Sequence, residues 1–245
     1  MNDGGRTGME VSIKAALDLM RHDVPQARPS AASRIYDDLR QRILSLELPP
    51  GTNLLRADLA RHYDVSVTPL RDALQKLEAD GLVRIYPQSR TLVTRIDEAL
   101  VHEGHFLRRA LETEVVRHLA KGEASETVER ARSVVALQRS LQDERGQLRL
   151  FQELDEHFHR TLFDGLGRSA LHDLIRSRAG HLDRVRRLQT HSPEKIQDIL
   201  RGHDAILEAI SAGDEDAAMA AMRDHLFKEP DWVQEFRAMH VDYFA

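Results

Sequence analysis

Two short amphipathic segments, joined by three residues, constrain the fold of this chain more than any other feature. Their apolar residues recur at helical spacing: Leu59, Ala60 and Tyr63, then Leu70, Ala73, Leu74 and Leu77. Two helices joined by so short a turn, Asp64-Val65-Ser66, form a helix-turn-helix. Ser66 or Thr68 can cap the second helix, and Pro69 suits its first turn because an N–H is not needed there. The same pattern occurs in α domains that bind no DNA, so the flanking sequence has to decide.

The flanking sequence completes a winged helix-turn-helix over residues 31–97. A helix after Ser33 precedes the pair, and its apolar face consists of Ile35, Leu39, Ile43 and Leu46. After the pair, Gly81 supplies a left-handed helix end, and β-type runs at 82–86 and 91–94 predict a hairpin. Three helices and a two-stranded hairpin give the winged fold. A small α+β domain without a nucleic-acid role is the alternative.

We expect DNA contacts from the start of the second helix and from the hairpin tip. In this fold the second helix enters the major groove and the hairpin lies near the backbone or the minor groove. The predicted DNA-contacting residues are Ser66, Val67, Thr68, Arg71, Gln75 and Arg90.

From Asp97 onward the pattern becomes entirely helical. Helical spacing predicts helices over 103–121 (with Phe106 on its apolar face), 127–144, 147–166, 169–188, 193–211 and 215–228, and a short one within 229–245 that packs on them. The expected fold class is mainly α, with an N-terminal winged helix-turn-helix and a C-terminal all-α antiparallel helical bundle. The expected domains are a flexible arm (1–30, with a possible helix at Glu10–Met20), the winged domain (31–97), the bundle (98–230) and a tail (231–245).

Composition excludes several classes of protein. The 245 residues suffice for one large or two ordinary domains, and without cysteine there is no disulfide framework or thiolate site. The net charge of −5 argues against indiscriminate coating of nucleic acid. No apolar run approaches the roughly 18 residues of a membrane span. We therefore expect a cytoplasmic protein, without a membrane partner, that associates with the nucleoid when bound to DNA.

Four polar residues are expected to face the interior of the bundle. Asp155 and His159 are one turn apart, and His203 and His225 lie among apolar residues of two other helices. Burying a carboxylate and three imidazoles without partners is costly. A divalent ion (Zn, Ni, Mn or Fe) would satisfy all four. Since the chain has 13 histidines, inward histidines that only hydrogen-bond within the core are the alternative.

Three motifs follow one another between residues 34 and 95: Leu48-Pro49-Pro50-Gly51, Val65-Ser66-x-Thr68-Pro69-Leu70-Arg71-Asp72-Ala73-Leu74 and Leu77-Glu78-Ala79-Asp80-Gly81-Leu82. Together they resemble the GntR family of bacterial transcription regulators. The resemblance implies a homodimer on a short palindromic double-stranded DNA operator, with Arg71 contacting DNA and Ser66 and Thr68 contacting phosphates. Val67 replaces an arginine that reads guanine in the family, and Arg90 replaces a wing-tip glycine, so the operator sequence cannot be carried over.

The helical part carries a second set of motifs: Leu107-Arg108-Arg109-Ala110-Leu111-Glu112, Asp155-x-x-Phe158-His159, His203-x-x-Ile206-Leu207-x-Ala209-Ile210 and Arg223-Asp224-His225-Leu226. Over residues 102–227 they resemble the FCD ligand-binding domain of FadR-type GntR regulators. The resemblance implies that Asp155, His159, His203 and His225 bind a divalent ion, and that Arg108 lies in the effector pocket. Because acyl-binding members lack these histidines, the implied effector is a small organic acid. Gly202 stands where glutamate is frequent, which removes a possible acceptor for an imidazole N–H.

Five other histidines (His157, His172, His181, His191 and His240) are interpreted as surface groups or as neighbours of the metal ligands. Arg184, Arg186 and Arg187 are interpreted as a solvated helix face or a pocket rim.

The sequence therefore predicts a ligand-responsive transcription regulator, not an enzyme. One alternative is a metal-dependent hydrolase, although Asp155-Glu156-His157-Phe158-His159 lacks the His-Glu-x-x-His pattern of zinc hydrolases. The other is a DNA-binding regulator whose metal site is purely structural.

Overall fold

The N-terminal elements follow the predicted order. The structure, a computed structural model, describes residues 29–87, 89–142, 147–188, 192–228 and 231–245. The predicted helix at Glu10–Met20 and the residue His191 lie outside these ranges. The first elements are α1 (Ala31–Leu44), α2 (Arg56–Tyr63), α3 (Val67–Ala79), β1 (Val83–Ile85) and β2 (Thr91–Val93). The two strands are antiparallel, with Val83 opposite Val93, so the predicted winged helix-turn-helix is confirmed.

Local chemistry explains where these helices begin and end. α1 starts earlier than expected because the Ser30 hydroxyl accepts a hydrogen bond from the Ser33 N–H at 3.1 Å. α3 starts after Ser66, but the Ser66 side chain makes no capping hydrogen bond. Asp64, in the turn between α2 and α3, has a φ of 50°, a left-handed conformation that aspartate tolerates. Gly81, with a φ of 74°, follows α3.

One apolar cluster holds the helix-turn-helix together. Its members are Ile35, Tyr36, Leu39, Ile43, Leu54, Leu70, Ala73, Leu74, Leu77, Leu82, Val83 and Val93. Leu59, Ala60 and Tyr63 of α2 are only partly buried against it. α2 therefore contributes less to this core than α1 and α3, and α3 is fixed on its inner face while its outer face stays in solvent.

The rest of the described chain is helical. The elements are α4 (Glu98–Lys121), α5 (Ser125–Arg139), α6 (Leu148–Gly165), α7 (Ser169–Arg178), α8 (Gly180–Leu188), α9 (Pro193–Ala212), α10 (Glu215–His225) and α11 (Trp232–Met239), followed by a 3-10 turn (Val241–Tyr243). α5 packs on α6 and α9, and α9 packs on α10. In the described ranges no helix is long and apolar enough to cross a membrane.

Two sequence-based expectations for these helices are wrong. Residues 169–188 form two helices because the chain turns at Ala179; a Cβ on Gly180 would lie 2.7 Å from Leu82 Cδ2, so α8 starts in close contact with the helix-turn-helix core. Phe106 is 76 % exposed instead of buried. The buried face of α4 contains Val115 and Leu119, and Phe106 does not share it.

Residue contacts divide the described chain into two compact units. One contains residues 109–172 and 192–227, and the other contains 29–108, 173–188, 228 and 231–245. The expected boundary near residue 97 stays a prediction. The tail helix α11 contacts α8, and the Ile96 N–H donates to the Tyr243 carbonyl at 2.7 Å, which adds a parallel bridge beside the winged fold.

Candidate functional site

The residues predicted to contact DNA lie on the surface of the winged fold. Ser66, Val67, Thr68, Arg71, Gln75 and Arg90 are all exposed. Val67, the first residue of α3, is 70 % exposed. The start of α3 thus presents one apolar and several polar side chains on a helix end, a surface that can enter a major groove.

Two arginines of this surface are lightly restrained. Arg71 Nε lies 3.8 Å from Asp72 Oδ1, and both side chains are more than half exposed, so the pair is weak. The Arg90 guanidinium lies 5.0 Å from the centre of the Tyr86 ring, and the Tyr86 N–H donates to the Arg90 carbonyl at 2.8 Å across the hairpin end. Both cations can therefore reorient toward phosphates at low cost.

Four side chains from three helices converge in the other compact unit. Asp155 and His159 come from α6, His203 from α9 and His225 from the last residue of α10. One possible ligand atom from each lies within 4.8 Å of the others, and we call these four residues the His/Asp cluster. Asp155, His159 and His203 are buried, and His225 is partly exposed. The helical spacing on α6 and the packing of α9 on α10 bring the four together.

The distances within the His/Asp cluster suit a shared cation. His159 Nε2 lies 3.3 Å from His225 Nε2, and His203 Nε2 lies 3.4 Å from Asp155 Oδ1. Two ligand atoms that are each about 2.1 Å from one ion lie about 3.0 to 3.4 Å apart at coordination angles between octahedral and tetrahedral. The donor set, one carboxylate and three imidazoles, is one that divalent transition metals accept.

Two further side chains orient the imidazoles. Glu112 of α4, 2 % exposed, has its Oε2 atom 2.5 Å from His159 Nδ1. Gln138 of α5 places Oε1 3.0 Å from His203 Nδ1, and its Nε2 donates to the Phe151 carbonyl, which fixes the amide orientation. Both Nδ1 atoms thus face an oxygen outside the cluster, and both Nε2 atoms face other members of the cluster.

A nitrogen and a carboxylate oxygen lie side by side in this buried place. His203 Nε2 lies 3.4 Å from Asp155 Oδ1, and the His203 ring stacks on Phe158 with 3.8 Å between the ring centres. Imidazole nitrogen and carboxylate oxygen are both ligands that divalent transition metals accept. The residues present therefore fit a divalent cation.

Sequence reasoning missed Glu112 and Gln138 as parts of the site. Glu112 shares a helix face with the buried Val115 and Leu119, and Gln138 follows the buried Ala131 and Val135 at helical spacing. A charged or polar residue on an otherwise apolar face was the signal that could have found both. Glu112 and Gln138 supply acceptor oxygens beside the imidazole rings, which Gly202 cannot do because it has no side chain. Arg108, the predicted effector ligand, is buried one turn before Glu112, and its role stays a prediction.

Other histidines and arginines are buried, contrary to expectation. His157, His172 and His181 are at most 8 % exposed, and Arg184 is fully buried. Arg184 Nη1 donates to the Thr94 carbonyl at 2.6 Å, and the Asp97 N–H donates to His181 Nδ1 at 2.9 Å. For His181 and Arg184 the reason is that α8 packs within the unit that contains the winged fold, so these two polar groups meet backbone instead of water.

We call Gly81, Thr94, Asp97, His181 and Arg184 the Arg184 hub. His181 Nε2 lies 3.3 Å from the Gly81 carbonyl, which also accepts from Thr94 Oγ1 at 2.7 Å. Burial, with Arg184 nearby, lowers the pKa of His181 to about 4, and burial lowers the pKa of Arg184 to about 10. At neutral pH the histidine is neutral and the arginine is charged.

Comparison with known proteins decides the identity of the chain. Residues 31–93 match the bacterial regulatory proteins of the gntR family, and residues 103–228 match the FCD domain. The chain belongs to the GntR family, with an FCD domain. It is 35 % identical over 212 residues to an uncharacterized HTH-type transcriptional regulator in an unstable DNA locus of Streptomyces ambofaciens (86 % of this chain, 88 % of that one).

A second relative of this GntR/FCD chain is the HTH-type transcriptional repressor RspR of Escherichia coli K12, 32 % identical over 86 % of this chain and 92 % of its own. The structure of E. coli McbR/YncC has the same fold, with a TM-score of 0.70 over 88 % of this chain and 99 % of that one at 16 % identity. The chain is thus a DNA-binding transcription regulator of the GntR/FCD type. Its family and relatives are regulators and not enzymes, which removes the hydrolase alternative.

Proposed function

We propose that this regulator binds a divalent metal ion in the His/Asp cluster and senses a small organic acid there. The observation that carries the proposal is the convergence of one possible ligand atom each from Asp155, His159, His203 and His225 within 4.8 Å of one another, with Glu112 and Gln138 beside two of the rings. A bound Zn, Ni, Mn or Fe ion would supply positive charge and open coordination positions that a carboxylate can occupy. Arg108 would contribute a second cation for the same acid.

The DNA-binding part of the proposal concerns the exposed end of α3. Arg71 and Gln75 would reach base edges or phosphates, Ser66 and Thr68 would bind phosphates, Val67 would contact a thymine methyl group, and Arg90 would reach the backbone from the hairpin. The regulator would bind a short palindrome as a homodimer, since two half-sites then double the contacts.

Effector and DNA binding are coupled in this proposal. An acid that enters the site would change the packing of α6, α9 and α10, and the change would alter the spacing of the two α3 helices in the dimer. By linkage, an acid that weakens DNA binding must itself bind more weakly to the DNA complex.

DNA binding is tested first. The purified full chain is used to select DNA fragments from the genome that encodes it. Fluorescence anisotropy should give saturable binding that weakens as salt rises, and Arg71→Ala should lower the affinity by roughly tenfold to a hundredfold. Arg61→Ala, which removes an equally exposed arginine of α2, is the matched control and should leave the affinity nearly unchanged. Failure of the full chain to select any fragment would contradict the DNA-binding proposal.

The effector arm uses thermal shift with a panel of small carboxylic acids, with and without Zn or Ni. Acids that bind the native state should raise the melting temperature only when metal is present, and the same acids should change the anisotropy titration. Metal binding without any response to acids would favour the alternative, a purely structural metal site.

A further inference from the structure

Val67 lies at the end of α3 that meets base edges in a helix-turn-helix. It is the first residue of the helix, directly after Ser66, and its side chain is 70 % exposed. Arg71 and Gln75 follow at intervals of four residues and are exposed as well, so the three side chains share one face of α3. In this fold the N-terminal residues of the second helix contact bases in the major groove. Val67 is therefore placed to contact a base pair.

The fold itself does not require valine at this position. The apolar contacts at the start of α3 come from Leu70, which belongs to the apolar cluster of the winged fold, and from Val65, which packs against that cluster. These two residues occupy the two positions of a hydrophobic staple around the capping residue Ser66. Val67 remains in solvent, where a β-branched residue favours a helix less than most straight side chains do. Its side chain is therefore available for a contact outside the chain.

A valine side chain can distinguish base pairs only through apolar contacts. It has no hydrogen-bond donor or acceptor, so it cannot bind O6 and N7 of guanine as an arginine does. The apolar group that base pairs display in the major groove is the C5 methyl group of thymine. Cytosine presents a methyl group at the same ring position once it is methylated at C5. Because the branched side chain of valine is restricted to few rotamers, the contact also costs little conformational entropy.

We propose that Val67 selects, at one position of each half-site, a pyrimidine that carries a C5 methyl group: thymine or 5-methylcytosine. The inference rests on the proposed binding of α3 to DNA. It goes beyond the thymine contact proposed above, because it makes the affinity for the operator depend on cytosine methylation. It also assigns to Val67 the discrimination against a pyrimidine without the methyl group.

The test removes single methyl groups from DNA that the full chain selects. Replacing one thymine of each half-site by deoxyuridine removes only the C5 methyl group, and the replacement is repeated for every thymine of the operator. Fluorescence anisotropy should show one position at which the wild-type affinity falls about 15-fold, because each buried methyl group contributes about fourfold and the dimer meets two half-sites. Val67→Ser, which removes both valine methyl groups, should bind the two DNA forms equally. If no deoxyuridine effect disappears in Val67→Ser, the inference is overturned.

Methylated cytosine provides the second arm of the test. At the position found with deoxyuridine, thymine is exchanged for cytosine, with guanine opposite, and the duplex is compared with and without the C5 methyl group on that cytosine. Methylation should raise the affinity of the wild type about 15-fold and leave that of Val67→Ser unchanged, since the hydrogen-bonding edge is the same in both duplexes. An equal response of the wild type and the variant would contradict the inference, because another side chain would then contact the methyl group.

A matched control and the selection step keep the outcomes distinct. Val241 is 69 % exposed but lies in the C-terminal 3-10 turn, so Val241→Ser should show the same deoxyuridine and methylation effects as the wild type. If the full chain selects no DNA fragment, the proposed DNA binding itself fails. If the full chain selects fragments and Val67→Ser responds to the methyl groups as the wild type does, only the role of Val67 fails.

Discussion

The His/Asp cluster and the Arg184 hub are both built around buried histidines, but their ring nitrogens meet different partners. In the hub, His181 accepts from the Asp97 N–H through Nδ1 and faces the Gly81 carbonyl through Nε2, so backbone groups satisfy both nitrogens. In the cluster, His159 and His203 use Nδ1 on Glu112 and Gln138 and turn Nε2 toward other cluster members. Burial alone therefore does not mark a ligand site; the direction of the remaining lone pairs does.

The two regions should respond to different perturbations. The hub holds the end of α3, the residue after β2 and the start of α4, and its loss should cost stability. The cluster converges on a point that suits a cation, and its loss should cost metal binding. Four substitutions test this division.

The largest effect is expected from Asp155→Asn. The change keeps the size of the side chain but removes the negative charge that faces His203 Nε2 at 3.4 Å. Removing a residue that binds the ion directly should lower the affinity more than removing a residue that only contacts such a ligand. Zn affinity measured by calorimetry should therefore fall at least about 100-fold. Asp204→Asn, a partly exposed position on α9, is the control and should bind Zn normally. Equal Zn affinity in the two variants would remove Asp155 from the site.

Arg184→Met should have the largest effect on stability. It leaves the partly buried Thr94 carbonyl without its charged donor, at a cost of about 2 kcal/mol in the free energy of unfolding. Urea denaturation measures the loss, and Arg186→Met, which removes a partly exposed arginine from the same helix, should cost much less. Zn affinity should be unchanged. A loss of Zn affinity without a loss of stability would mean that Arg184 supports metal binding and not the stability of the fold.

His181→Gln should change how stability depends on pH. In the folded chain the pKa of His181 is about 4, below the ordinary value of 6.5. Between pH 4 and pH 6.5 the unfolded chain therefore binds more protons than the folded chain. Stability from this group is present above pH 6.5 and is lost as the pH falls toward 4. Between pH 7 and pH 4.5 the wild type should lose about 2 kcal/mol more than His181→Gln in urea denaturation. If the free energies of unfolding of the wild type and of His181→Gln changed equally with pH, burial would not lower the pKa of His181.

The smallest effect is expected from Glu112→Gln. The amide oxygen can still accept from His159 Nδ1, but the charge that strengthens the imidazole as a ligand is gone. Zn affinity should fall roughly tenfold, at the low end of the range for outer partners. Glu114→Gln, which changes an exposed glutamate on the same helix, is the matched control. If both variants bind Zn as the wild type does, Glu112 does not act on the ligand.

Periodicity predicted the elements well because their apolar faces are buried within one chain. Leu70, Ala73, Leu74 and Leu77 are buried as their spacing indicates, and the hairpin pairs as its β-type runs indicate. The break at Ala179 was missed because Ser169 to Leu188 keeps one continuous helical period. Only the contact between Gly180 and Leu82, far apart in sequence, reveals it.

The site was predictable in part. The one-turn spacing of Asp155 and His159 is a local property, and the convergence of His203 and His225 on them was expected from the motif order and is found. Glu112, Gln138 and the burial of Arg184 depend on contacts between distant segments.

X-ray absorption spectroscopy of the Zn-loaded full chain reports which atoms surround the ion. We expect one ion per chain whose nearest neighbours are about three imidazole nitrogens at about 2.0–2.1 Å together with oxygen. Removal of one imidazole from this shell in His225→Ala would assign the signal to the His/Asp cluster. A chain that retains no stoichiometric Zn, or Zn surrounded by oxygen alone, would contradict the account.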